Sequence, residues 1–159
     1  MRRPALPKLG GAKHKLPSPD QAQFGMKTIL LVDDDEQVRE FFVFALRRSG
    51  YDVIEADSGA VALEMARHYL PDLIVSDINM PGGDGQSLLH DVRHDPELKS
   101  RQVVLITGNP ELFARRQIME KGADDFLLKP VSLQEFLSCV KARFNRASLT
   151  WPAEDLVAS

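Results

Sequence analysis

The stretch that decides the fold is Ile-Leu-Leu-Val-Asp-Asp-Asp at residues 29–35, a short apolar run that ends abruptly in three carboxylates. Four more short apolar runs follow it, at residues 53–54, 73–75, 103–106 and 126–128. Runs that are apolar at consecutive positions present apolar side chains to both faces of a sheet, which is typical of parallel strands covered on both sides. The pattern therefore predicts five buried strands.

Helical patterns follow these runs. Their apolar positions, in chain order, are Val38, Phe41, Phe42 and Ala45; Leu63 and Ala66; Leu88, Leu89 and Val92; and, in the fifth helix, Leu133, Phe136, Leu137, Val140 and Phe144. Asn109 and Pro110 predict the start of the fourth helix, as an N-cap followed by proline at the first helical position, and Gly122 predicts its end. Ser132 and Glu135 have the spacing of a capping box that would open the fifth helix. Five strand–helix units in sequence predict one doubly wound α/β domain.

Length and composition limit the class of protein. The chain has 159 residues, of which 43% are apolar, enough for one ordinary domain with tails. No apolar run approaches the ~20 residues that cross a bilayer, so we expect no membrane span and a cytoplasmic location. The only cysteine, Cys139, excludes an internal disulfide framework and fits a reducing compartment.

Charge is distributed unevenly along the chain. Six basic residues against one acidic residue give residues 1–27 a net charge of +5, so the remainder carries −8 within the overall −3. An acidic domain binds nucleic acid poorly without specific contacts, so we expect no direct nucleic-acid partner.

The ends of the chain are predicted to be tails. Residues 1–26 combine basic residues with four prolines and three glycines and show no apolar periodicity, which predicts a disordered tail. A transit peptide is the alternative, and the prolines argue against the amphipathic helix that it would need. Met26 also has the position of a natural start just before the first strand, so residues 1–25 are either dispensable or derived from an upstream start. We assign residues 27–147 to the domain and residues 148–159 to a short tail, too short for an output domain.

Polar residues follow the predicted strands at the points where the strands end. Residues 33–36 are all acidic, Asp77 follows the third run, Thr107 the fourth and Lys129 the fifth. The second run is followed only by residues 55–57, which a strand at the edge of the sheet would explain. Because the carboxyl ends of parallel strands form the functional crevice, the other groups should converge there. Carboxylates held this close repel one another unless a cation neutralises them, and oxygen ligands of this kind suit Mg²⁺. A hydroxyl and an ammonium beside them would complete a cradle for a phosphoryl group.

Four motifs at these positions make the chain resemble the receiver domain of two-component response regulators. They are Leu31-Val32-Asp33-Asp34-Asp35, residues 72–81 (Asp-Leu-Ile-Val-Ser-Asp-Ile-Asn-Met-Pro), Ile106-Thr107-Gly108, and residues 126–130 (Phe-Leu-Leu-Lys-Pro). The resemblance covers about residues 27–147. It implies a flavodoxin-like α/β fold, a five-stranded parallel sheet of order 2-1-3-4-5 with five helices.

The resemblance also implies roles for individual residues. Asp77 would accept a phosphoryl group from a histidine kinase or a phosphotransfer protein. Mg²⁺ would be bound by Asp33, Asp34, Asp77 and the backbone carbonyl of Asn79. Thr107 and Lys129 would contact the phosphoryl group, Lys129–Pro130 would be cis, and the ring of Phe126 would move inward with Thr107.

The implied output is contact with another protein through the fourth helix, fifth strand and fifth helix, since no effector domain is recognised. We expect no separate substrate, so the chain is not expected to be an enzyme in the usual sense. The sequence does not decide whether it forms a homodimer. Two departures from the family pattern are noted: Gly83 stands where many relatives have a bulky apolar residue, and Gly108 where alanine is common.

Two other functions compete with this interpretation. A haloacid-dehalogenase-like phosphatase also uses an aspartate nucleophile with Mg²⁺, and Asp33 and Asp35 imitate its opening motif; Gln37 and the absence of a cap insertion argue against it. A phosphorylation-independent interaction module is the third option, disfavoured because the whole constellation is intact. His90 and His94 have the spacing of a zinc-protease helix, with Asp91 in place of glutamate. They fall opposite Leu88 and Val92, so we expect them to face solvent and not to form a metal site.

Overall fold

The computed structural model describes residues 26–80, 85–108 and 111–148. Within these ranges five strands alternate with five helices. In chain order they are β1 Thr28–Val32, α1 Glu36–Arg48, β2 Asp52–Ala56, α2 Gly59–Tyr69, β3 Leu73–Asp77, α3 Gly85–His94, β4 Gln102–Thr107, α4 Leu112–Glu120, β5 Asp125–Leu128 and α5 Leu133–Ser148. All five predicted strands are present. Residues 1–25 and 149–159 lie outside the described residues, so what we expect of the two tails stays a prediction.

The sheet has the order β2-β1-β3-β4-β5, with every neighbouring pair parallel. The predicted fold is therefore confirmed, including the position of β2 at one edge. The register pairs Val32 with Ser76 and Asp77 with Ile106. The carboxyl ends of β1, β3 and β4 consequently lie side by side, which is the arrangement that a shared site requires.

Two apolar layers cover the sheet, because alternate residues of each strand point to opposite faces. Leu30, Ile74 and Leu105 pack on one face against helical residues such as Met65 and Leu89. On the other face, Ile29, Leu31, Val75 and Val104 pack against residues of α1 and α5, among them Phe42 and Phe136. Phe136 is fully buried and its ring centroid lies 4.3 Å from that of Phe42. Burying each such side chain contributes about 1.5–3 kcal/mol, which makes this double covering the main source of stability.

Side-chain caps fix the starts of three helices. The Asp35 carboxylate accepts hydrogen bonds from the backbone N–H groups of Gln37 and Val38 at 3.0 and 3.2 Å, so it caps α1. Ser58 caps α2 in the same way. The Ser132 hydroxyl accepts a bond of 3.1 Å from the backbone N–H of Glu135, which confirms this half of the predicted capping box.

Three details of the helix predictions are wrong. Phe41 is 54% exposed, because the buried stripe of α1 is centred on Phe42, Val43 and Leu46 and leaves Phe41 at its rim. Leu133 is 37% exposed at the first residue of α5. The fourth helix begins at Leu112 with Glu111 as an uncapped N-cap residue. That start is two residues later than Asn109 and Pro110 predict, and both of those residues lie outside the described ranges.

Candidate functional site

Three carboxylates meet at the carboxyl edge of β1 and β3. One oxygen from each of Asp33, Asp34 and Asp77 lies within 4.8 Å of the others. Asp33 and Asp77 are only 6% and 3% exposed, whereas Asp34 faces solvent. The Asp33 side chain is held in place because its Oδ1 accepts a hydrogen bond of 2.9 Å from the backbone N–H of Asp35. The three carboxylates among the predicted metal ligands are thus brought together, with Asp34 exposed to solvent.

Lys129 completes the group from β5. Its Nζ donates a hydrogen bond of 2.7 Å to Oδ2 of Asp77. The backbone positions this lysine, because its N–H donates to the carbonyl of Thr107 at 2.8 Å. The Lys129–Pro130 peptide bond is cis. Thr107 itself is buried at the end of β4, next to β3 in the sheet. Asp77 therefore has an ammonium in contact and a threonine on the adjacent strand end.

Burial and charge shift two pKa values in the site. Burial raises the pKa of Asp33; the bond from the Asp35 N–H opposes this shift, and the nearby Asp77 charge adds to it. For Lys129, burial alone would lower the pKa, but its hydrogen bond to Asp77 and the carboxylates of Asp77, Asp33 and Asp34 raise it overall. The lysine is therefore a fixed positive charge at neutral pH, beside carboxylates that still carry unbalanced negative charge.

The donor set fits a hard divalent cation. Oδ1 of Asp77 is buried and has no hydrogen-bond partner among the described residues. A buried carboxylate oxygen without a partner is costly unless a cation or a proton satisfies it. The three carboxylates supply the oxygen ligands that Mg²⁺ prefers, and the exposure of Asp34 to solvent leaves room for the waters that the ion usually keeps.

Two residues that shape the site, Arg39 and Gly85, are not predicted from the sequence. Arg39, on α1, is 8% exposed and donates a 2.7 Å hydrogen bond to the backbone carbonyl of Asp33, while its Nε pairs with Glu55 of β2 at 3.3 Å. Gly85 opens α3 so close to β3 that an added Cβ would lie 2.5 Å from the carbonyl oxygen of Asp77. The sequence around Arg39 does not indicate burial, because charged residues in helices usually face solvent. Gly85 is predicted from the sequence only as a turn residue.

The remaining predicted residues lie near this group. Asn79 is exposed two residues beyond Asp77, and the N–H of the intervening Ile78 donates to the Ile106 carbonyl, which fixes the chain beside β4. Phe126 is half-buried on β5, with the guanidinium carbon of Arg115 4.3 Å from its ring centroid. Residues 81–84, which include Gly83, lie outside the described residues. A Cβ at Gly108 would meet no atom of the described residues within 4 Å.

With this geometry, the comparison with known proteins gives a family. Residues 29–141 match the model of the response regulator receiver domain. The chain belongs to this family. It is thus a receiver domain of two-component signalling, and such domains typically bind Mg²⁺ at an acidic pocket and interact with histidine kinases and downstream effectors.

Two curated relatives show how the domain occurs elsewhere. Alkaline phosphatase synthesis transcriptional regulatory protein PhoP of Bacillus subtilis is 36% identical over 130 residues, which are 82% of this chain and 53% of that protein. Histidine kinase P4 of Formosa agariphila is 32% identical over 142 residues, which are 83% of this chain and 10% of the kinase. The chain therefore spans about half the length of the first relative and a tenth of the second.

Solved structures have the same fold. The chemotaxis response regulator CheY4 of Vibrio cholerae is 28% identical with a TM-score of 0.71, covering 74% of this chain and 98% of that one. The signal receiver domain of a signal transduction histidine kinase from Syntrophus aciditrophicus is 30% identical with a TM-score of 0.71, covering 79% and 95%. No helix among the described residues is long and apolar enough to cross a membrane.

Proposed function

We propose that this receiver domain is a phosphorylation-dependent switch in which Asp77 accepts a phosphoryl group from a phosphohistidine of a histidine kinase or phosphotransfer protein. One observation carries the proposal: a nearly buried carboxylate at a strand end contacts an ammonium at 2.7 Å and shares its pocket with two further carboxylates. Structural ion pairs in α/β domains do not need a second and third acid at the same point. Asp33, Asp34, Asp77 and the Asn79 carbonyl would bind Mg²⁺.

The transfer is a displacement at phosphorus. An oxygen of Asp77 forms the new O–P bond, the N–P bond of the phosphohistidine breaks, and the leaving imidazole takes a proton. When bound, Mg²⁺ neutralises charge on the transferring oxygens. Lys129 stays protonated beside Asp77 and offsets the added negative charge, and Thr107 supplies a hydroxyl for a phosphoryl oxygen. Hydrolysis by water later restores the carboxylate, so no separate substrate is turned over.

The same charge would drive the output. A phosphoryl group adds roughly −1.5 to −2 charges and three strong acceptors. These acceptors would draw Thr107 and Lys129 inward, and Phe126 would follow into the space released. Because the guanidinium of Arg115 rests on the Phe126 ring, this movement changes the α4–β5–α5 surface, where Arg116 and Lys121 are exposed. A cytoplasmic protein that reads this surface is the proposed downstream partner.

The test uses a small phosphodonor, such as acetyl phosphate, with and without Mg²⁺. Intact-mass spectrometry should show one phosphoryl group per chain that requires Mg²⁺ and is removed by hydroxylamine, as an acyl phosphate is. Asp77→Asn should abolish it. Asp35→Asn is the matched control, because asparagine also caps a helix, the Asp35 carboxylate bonds the backbone N–H groups of Gln37 and Val38, and the bond from the Asp35 backbone to Asp33 is kept.

One result would replace the proposal with the phosphatase alternative. A label that maps to Asp33 and turns over continuously would make Asp33 the nucleophile. Lys129 contacts Asp77 and not Asp33, which favours the receiver mechanism.

A further inference from the structure

The outer surface of α3 has a histidine pair that the phosphoryl chemistry does not use. His90 and His94 are both exposed, as their position opposite the buried Leu88 and Val92 predicts. The two imidazole rings are in contact, with centroids 4.1 Å apart and planes at 81°. Residues one helical turn apart can thus present two ring nitrogens to the same point in solvent.

A hydrogen bond fixes which nitrogen of His94 is available. Its Nδ1 lies 2.7 Å from the backbone carbonyl oxygen of His90. A carbonyl can only accept, so Nδ1 carries the proton and, in the neutral ring, Nε2 holds the bare lone pair. Metal-binding histidines in proteins are usually oriented in this way, by donating the other ring N–H to a carbonyl or a carboxylate. This bond distinguishes the pair from two histidines that merely face solvent.

The surroundings of the pair contain charges of both signs. The pair borders an open cavity of about 630 Å³, which Asp91, Arg93 and Lys121 also line. Arg93 is paired with Asp124, whereas Lys121 donates to the neutral side-chain oxygen of Gln86 and keeps its charge. Two features favour a bound cation: the acidic Asp91 beside the pair, and the position of His94 at the last residue of α3, where the negative end of the helix dipole favours positive charge.

We propose that His90 and His94 chelate a borderline divalent transition cation such as Zn²⁺ or Ni²⁺, through one nitrogen of each ring, with water filling the other positions. Imidazole nitrogens select ions of this class over hard Mg²⁺, so the site is chemically distinct from the carboxylates around Asp77. Among the described residues no third histidine, cysteine or carboxylate joins the pair closely enough to bind the same ion. The site is therefore open and exchangeable, unlike a closed four-ligand structural zinc site.

Calorimetric titration of the full chain with Zn²⁺, in buffer containing excess Mg²⁺ to occupy the carboxylates, tests this inference. We expect one Zn²⁺ per chain and a loss of affinity of about tenfold or more in each of His90→Gln and His94→Gln. His68→Gln is the matched control: the same substitution on α2 should leave the affinity unchanged. Circular dichroism should show both ligand variants folded, because His90 and His94 are on the surface, and it also checks that the half-buried His68 tolerates its substitution.

Equal affinity in the wild type and the double variant His90→Gln/His94→Gln would overturn the inference. The same conclusion would follow if the imidazole proton resonances of the two histidines did not shift when Zn²⁺ is added. Asp34→Asn should bind Zn²⁺ as the wild type does, since the proposed site does not depend on the acidic pocket.

Discussion

Replacement of Arg39 by glutamine should destabilise the domain far more than its position on a helix suggests. The guanidinium is almost fully buried and donates at 2.7 Å to the Asp33 carbonyl, a charge-assisted bond worth about 1.5–3 kcal/mol. Its loss also leaves Glu55, whose side chain is 15% exposed, with Arg47 at 3.9 Å as its remaining ion-pair partner among the described residues. Together these losses predict a decrease of about 3 kcal/mol in the free energy of unfolding. They correspond to a melting temperature about 10 °C lower for a domain of this size.

Urea unfolding followed by far-UV circular dichroism measures the effect. Arg47→Gln is the matched control, because Arg47 meets the same glutamate only at 3.9 Å with a side chain 37% exposed, and such pairs contribute under about 1 kcal/mol. Arg39→Gln should also weaken Mg²⁺ binding about tenfold in calorimetric titration of the folded protein, because Asp33 loses its backbone anchor. Equal losses of stability in the two variants would show that the buried bonds of Arg39 do not stabilise the fold as predicted. Unchanged Mg²⁺ affinity in Arg39→Gln would show that Arg39 does not anchor Asp33.

Three further predictions concern single positions. Gly85→Ala should lower the free energy of unfolding by about 1–3 kcal/mol, because its Cβ would lie 2.5 Å from the backbone oxygen of Asp77; an unchanged urea midpoint would contradict this close approach. Gly108→Ala should raise the free energy of unfolding by about 0.4–1 kcal/mol, since the added methyl meets no described residue within 4 Å and the unfolded chain loses freedom; a lower melting temperature would show a clash. Burial raises the pKa of the Cys139 thiol to about 11 from an ordinary 9.0, so at pH 8 a disulfide reagent should label it about 100-fold more slowly than in urea. The folded-state rate should then rise about tenfold per pH unit until the pH reaches that pKa; a fast, pH-independent reaction would contradict the burial.

Most of the fold can be predicted from the sequence, because the pattern that identifies each strand lies within a few consecutive residues. Each strand is a run of adjacent apolar residues, and the order of strand–helix units leaves few ways to build a parallel sheet. The position of Phe41 could not be predicted, because periodicity gives the direction of a helix face but not the width of the neighbour that covers it. The start of α4 was missed for a related reason: Asn109 and Pro110 satisfy the local rules for a helix start, and these rules do not say which later residue the fold selects.

The site divides in the same way. Asp33, Asp77, Thr107 and Lys129 are predicted because each lies at the end of an apolar run or just after it, and strand ends in a parallel sheet converge. The burial of Arg39, on α1, depends on Glu55, which lies sixteen residues away on β2. No local pattern contains that pairing. Likewise, the sequence correctly predicts that His90 and His94 face solvent, but it gives no reason to expect a metal site there. The proposed Zn²⁺ site depends on the hydrogen bond that orients His94, and side-chain rotamers that spacing does not determine set that bond.

A crystal structure of the protein with Mg²⁺ and beryllium fluoride would show directly whether Asp77 is the phosphoryl acceptor, because this adduct imitates an acyl phosphate. We expect beryllium bonded to a carboxylate oxygen of Asp77 and Mg²⁺ bound by Asp33, Asp34, Asp77 and the Asn79 carbonyl. Lys129 and Thr107 should contact the fluorine atoms. An adduct on Asp33, or Mg²⁺ bound without Asp77, would contradict this expectation.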